Sequence, residues 1–208
     1  QVEDIQGILL YGYGQLRHAC FLLLGITDKE AAQKWLGTLD IRNADFKPDD
    51  VHRCLNIAFT ATGLKRLGLA EELIGEFSTE FREGVAGTEH RQRILGDTGE
   101  SSPDRWRWGG SRNPEPHVLL MLYGRDEAAL SVLLSEQRLR LTSFGLQLIE
   151  QLDTTWLPED KEHFGFRNGV SQTGIEGVHT RTSPGNTVAA GEFERCVVFH
   201  SLSKRSSV

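Results

Sequence analysis

Cysteine, methionine and long apolar runs are what this chain of 208 residues has least of, with 3 Cys and 1 Met. No apolar stretch approaches the roughly 20 residues that a membrane helix needs, so no spanning helix is expected. Cys20, Cys54 and Cys196 are odd in number, far apart and without a second Cys or a His at metal-ligand spacing. That excludes a disulfide framework and a zinc site, leaving buried free thiols. Positive charge is scarce too. A net charge of -6 provides no footprint for nucleic acid or for an anionic membrane. Gln1-Val2-Glu3-Asp4 lacks the basic region and apolar stretch of a secretory leader, which points to a cytoplasmic chain, although a start on Gln leaves room for a leader already removed.

What is present reads as an ordinary globular chain, 38% hydrophobic and 25% charged. Its length suits one compact α+β unit with long loops. Residues 17–25 contain Cys20-Phe21-Leu22-Leu23-Leu24, a short apolar run closed by glycine that predicts a buried strand. Thr27 and Glu30 have capping-box spacing, and Ala31, Ala32, Trp35, Leu36 and Leu39 follow at helical intervals. In residues 52–60, Leu55, Ile57 and Phe59 alternate with Asn56, Ala58 and Thr60, the period of a strand with one buried face.

Two helical pieces are predicted next, over 63–69 and 71–81, the second with Leu73, Ile74, Phe77 and Phe81 on one face and Glu71, Glu72 and Glu76 toward water. Residues 96–116 are rich in Gly, Ser, Asp, Asn and Pro and read as a long surface loop pinned by Trp106 and Trp108. Residues 117–123 are apolar on both faces, as in a central strand. Asp126 is placed to cap a helix with Leu130, Leu133 and Leu134 inward, and a fourth strand is expected around 144–152. The order is β-α-β, an interval of helices and loop, then β-α-β. This is the split arrangement of a ferredoxin-like α+β sheet with helices on one face.

Several familiar chemistries are excluded. Gly169-Val170-Ser171-Gln172-Thr173-Gly174 lacks the glycine at position 173 that a hydrolase elbow needs. Gly7, Gly12 and Gly14 precede no Gly-Lys-Ser/Thr, so they are turn residues and not a phosphate loop. Glu159, Asp160 and Glu162 read as a solvated run. His18, His52, His90, His117, His163, His179 and His200 are scattered, none in a ligand pattern, and no metal ligand is assigned among them.

Six blocks in order resemble the dye-decolourising (DyP-type) haem peroxidases. They are Asp4-Ile5-Gln6-Gly7; Asn56-Ile57-Ala58-Phe59-Thr60 with Gly63-Leu64 and Leu67-Gly68-Leu69; Leu95-Gly96-Asp97; Trp106-Arg107-Trp108-Gly109; residues 117–123; and Glu162-His163-Phe164-Gly165-Phe166-Arg167-Asn168-Gly169-Val170-Ser171-Gln172. The resemblance runs to about Phe193, giving a domain over 1–193 similar to the amino-terminal half of that family and a divergent, flexible tail over 194–208.

The resemblance implies a fold of the dimeric α/β-barrel superfamily, haem b as cofactor, and hydrogen peroxide with aromatic dyes or phenols as substrates. It places Phe166, Arg167, Asn168, Gly169, Ser171 and Gln172 in the distal haem loop, with Asn168 at the position of the catalytic aspartate. In the family the proximal His and distal Arg belong to the second half, so a chain of this length alone is expected to be inactive. The partner it implies is a complementing carboxy-terminal half or a second copy of the chain. A non-catalytic relic or binding module that keeps the fold is the alternative. Asn168-Gly169 also reads as a turn pair, and its deamidation would yield aspartate or isoaspartate, a change that peptide mass registers.

Overall fold

The computed structural model describes residues 4–10, 13–44, 51–155, 157, 159, 161, 163–166, 174–176 and 187–188. The chain divides into two compact units, one of residues 12–42 and 47–154, the other of residues 1–11, 43–46 and 155–208.

The larger unit holds the sheet. Strand β1 is His18–Ile26, and helix α1, Lys29–Leu36, follows at once. Asp28, and not Thr27, caps that helix: its carboxylate accepts from the Ala31 N–H at 3.0 Å. Thr27 stands one residue too early; its N–H and that of Asp28 both donate to the Gly145 carbonyl. β2 is Arg53–Phe59 and α2 is Ala61–Arg66. The helix expected over 71–81 is two short ones, α3 (Glu71–Gly75) and α4 (Thr79–Glu83), because the Ser78 hydroxyl accepts from Phe81 N–H and starts a new helix. Only part of the predicted apolar face is inward: Ile74 is buried, whereas Leu73 is 47% exposed and Phe77 and Phe81 pack on each other at 4.8 Å.

α5, Glu89–Leu95, ends on Gly96 in the left-handed conformation, and residues 96–116 form the expected loop, tightened by short turns at Gly99–Ser101 and Pro103–Arg105. Trp106 anchors it by donating its indole N–H to the Ser101 carbonyl at 2.8 Å, whereas Trp108 is 39% exposed. β3 (Val118–Gly124), α6 (Glu127–Leu141, capped by Asp126) and β4 (Leu146–Asp153) complete the unit.

The strands hydrogen-bond in the order β2-β3-β1-β4, every neighbouring pair antiparallel, which is the ferredoxin-like arrangement. Cross-strand rows define two faces. Leu55, Leu122 and Cys20 form one row, Ile57, Leu120 and Leu22 the next, and both lie in the same apolar core as Ala32 and Trp35 of α1 and Leu133 and Leu141 of α6. Both helices therefore cover this face, and each buried leucine contributes about 2 kcal/mol to folding. Asn56, Met121, Phe21 and Leu152 make a row on the outer face.

The smaller unit pairs β5 (Gly174–Ile175) in parallel with β6 (Thr187–Val188), and packs Leu10, Ala44 and Ile175 with Ile5 and Val188. Among the described residues, no helix is long and apolar enough to cross a membrane.

Candidate functional site

Two of the blocks that carry the family resemblance meet at one structural junction in the larger unit. Thr60 caps α2, its hydroxyl accepting from Gly63 N–H at 3.0 Å and donating to the Pro116 carbonyl at 2.9 Å, while its own N–H donates to the His117 carbonyl at 3.1 Å. Gly63 lies so close to that carbonyl that a Cβ there would meet the oxygen at 2.0 Å. Glycine is required here by contact and not by backbone conformation.

His117 closes the junction. Its N–H donates to the Leu24 carbonyl, and its Nδ1 accepts from Ile26 N–H at 2.8 Å, which leaves the neutral ring its proton on Nε2, 3.8 Å from the Glu115 carboxylate. Burial holds the imidazole below its ordinary value, with Glu115 pulling the other way. This histidine is a strand clamp. His18, His52, His90 and His163 are exposed, and no group of three or more metal-binding side chains gathers among the described residues.

Sequence reasoning placed Asn56 on a polar strand face, yet it is 0% exposed. Its Oδ1 accepts from the Tyr13 hydroxyl at 2.8 Å and its Nδ2 donates to the Arg42 carbonyl at 3.3 Å. The residue thus ties β2 to two segments distant in sequence. Tyr13 also packs edge-on against Tyr123 at 5.0 Å, and Tyr123 against Phe21 at 6.0 Å. Burial pushes the Tyr123 phenol up to about 12, and the Tyr13 phenol higher still. Cys20 and Cys54 are the free, buried thiols expected. Burial raises them to about 12 and about 11, which keeps them protonated and unreactive near neutral pH.

Of the predicted distal-loop residues, only Phe166 is described. It is 74% exposed, and Phe164 is 83% exposed, on either side of Gly165 with its left-handed φ of 86°. Two phenylalanines held out of any core make an apolar surface at the entry to the segment. Arg167, Asn168, Gly169, Ser171 and Gln172 lie outside the described residues, as does the tail over 194–208. The segment is bounded on its far side by Gly174 and Ile175, both buried in β5.

A ferredoxin-like α+β sheet with two helices on one face defines the class. No protein-family model matches the chain. It is 27% identical over 198 residues to a dye-decolorizing peroxidase of Mycena epipterygia, an alignment that takes in 89% of this chain and 35% of that protein. A solved dye-decolorizing peroxidase in complex with 2,6-dimethoxyphenol superposes with a TM-score of 0.70 at 23% identity, covering 91% of this chain and 43% of the other. A fungal DyP-type peroxidase from Auricularia auricula-judae superposes with a TM-score of 0.68 at 22% identity, covering 92% and 42%. The chain therefore resembles the dye-decolorizing peroxidases in sequence and shares their fold, over about a third of the length of the curated relative that it matches.

Proposed function

We propose that this chain supplies the distal wall of a haem-dependent oxidoreductase that uses hydrogen peroxide on aromatic dyes or phenols. The observation that carries the reading is the similarity in sequence and fold to dye-decolorizing peroxidases along 89% of the chain. In this reading the family-like domain spans residues 1–193 in a cytoplasmic protein, and residues 166–172 would help to hold haem b, as the resemblance implies. Phe164 and Phe166, exposed at 83% and 74%, supply apolar surface for a planar macrocycle or its surroundings.

When bound, the haem supplies the iron at which peroxide is cleaved. The buried candidates are already committed: His117 Nδ1 is occupied by Ile26 N–H, and both described thiols are buried and protonated, so these groups would not hold the iron. We assign the axial ligand to a second ferredoxin-like half. That half would come from a further chain segment packing against the outer face of the sheet, where Phe21, Leu119, Met121 and Leu152 are half-buried.

Asn168 stands where the family carries its acid–base aspartate. A carboxamide hydrogen-bonds peroxide or water but does not move a proton between the two peroxide oxygens near neutral pH. This favours, as a second reading, a fold retained for binding without turnover.

The test is haemin titration of the purified chain, followed by peroxide-dependent dye loss for Asn168 and for Asn168→Asp. A Soret band at one haem per assembly, with dye loss at least about 100-fold faster after Asn168→Asp, is the expected result for the enzyme reading. Haem binding with no gain on Asn168→Asp supports the second reading. Absence of stoichiometric haem from both forms overturns the enzyme reading for this chain alone.

A further inference from the structure

The loop over 96–116 leaves α5 and returns to β3, yet one of its side chains reaches the far edge of the sheet. Arg107 pairs with Glu150 of β4 through two parallel bonds, Nε to Oε2 and Nη2 to Oε1, both 2.9 Å. β1 lies between β3 and β4, so the loop that runs on into β3 is tied to a strand two spacings away, roughly 10 Å. Glu150 stands opposite Leu23, Leu23 opposite Leu119, and Leu119 opposite Ala58, a row on the outer face.

The rest of the loop is knitted to itself. Ser102 bonds Asp104, Arg105 pairs with Glu100, and Asn113 donates to the Trp106 carbonyl that precedes Arg107. Gly110 lies against the Pro103 carbonyl, where a Cβ would sit 1.8 Å from the oxygen. Such internal bonding is that of a compact Ω-like loop. Among the described residues, Arg107–Glu150 is the side-chain ion pair that joins residues 99–113 to the sheet. Its halves are unequal: the Arg107 side chain is 78% exposed and that of Glu150 17%. Opening the pair sends the guanidinium into water and leaves the carboxylate to be rehydrated, so the latch opens from the loop side.

We propose that residues 99–113 form a strap over the outer face of the sheet, latched by Arg107 and Glu150, whose opening controls access to that face. The strap is a property of this chain's own geometry and holds whether or not haem is bound. Met121, the 1 methionine in the chain, is a built-in reporter, half-buried one row from Glu150. Hydrogen peroxide transfers one oxygen to its thioether, giving the sulfoxide and water, a balanced two-electron oxidation.

The experiment uses the full chain as wild type, Arg107→Gln, Glu150→Gln and the charge-swapped pair Arg107→Glu with Glu150→Arg. Backbone hydrogen exchange over 99–113 and the rate of Met121 sulfoxide formation in added peroxide are read together by mass spectrometry. Each single variant should raise both by roughly 3- to 10-fold, leave exchange in β1–β4 unchanged, and be rescued by the swap. Raising ionic strength should act on the wild type in the same direction and on the single variants hardly at all. Unchanged exchange over 99–113 in both single variants overturns the strap. So does faster exchange with unaltered Met121 oxidation, or an increase shared equally by the strands.

Discussion

The two faces of one sheet are built on different terms. On the helix face Cys20, Leu22, Leu24, Leu120 and Leu122 are all 0% exposed, sealed by α1 and α6. On the outer face Phe21, Leu119, Met121 and Tyr123 are half-buried beside buried Leu23, Cys54 and Asn56, and the ties are polar: Asn56 to Tyr13 and Arg42, Arg107 to Glu150. Packing without polar ties suits a face that stays closed. Directional bonds set in apolar surroundings suit a face that meets something else. The difference teaches that stability and recognition are separated across one layer of backbone.

Substitutions can break that comparison in order of size. Trp35→Ala should cost about 4 kcal/mol in urea denaturation, since its indole is fully enclosed in the helix-side core. Gly63→Ala should cost about 3 kcal/mol, because the new methyl would meet the His117 carbonyl and neither backbone can retreat without breaking the Thr60 bonds. Asn56→Leu should cost about 2 kcal/mol, with increased exchange near Tyr13 and Arg42 and little change around Trp35. A larger loss than for Trp35→Ala would show that the outer face, and not the helix side, carries the fold.

The smallest effect is a pH dependence. Burial lowers the folded-state pKa of His117, so the unfolded chain takes up the proton first as pH falls. The full contribution of the neutral ring is present above the unfolded value of about 6.5 and is lost as pH drops through it toward the folded value. Urea midpoints should decline between pH 7.5 and pH 5.5, on the order of 1 kcal/mol or less in stability. His117→Asn keeps an acceptor for Ile26 N–H without titrating and should flatten that slope; an unchanged slope would assign it to other groups.

The order of elements was legible in the chain because apolar period and capping are local. The apolar run over 117–123 identified a central strand, Asp126 the start of α6, and the two β-α-β units the sheet class. Residues 166–172 were legible as a candidate site only by resemblance, since Gly, Ser, Asn and Arg in a loop have no period to read. Tertiary structure decided what local pattern could not. Asn56 alternates with apolar neighbours as a solvent-facing residue would, and Tyr13 and Arg42, distant in sequence, supply hydrogen bonds that its burial needs. Trp106 and Trp108 are alike in sequence, but Ser101 supplies an acceptor to one of them. The chain alone determined which segments extend or coil, while contacts between distant segments decided which polar groups could leave water, because a buried hydrogen bond needs a partner that no local pattern specifies.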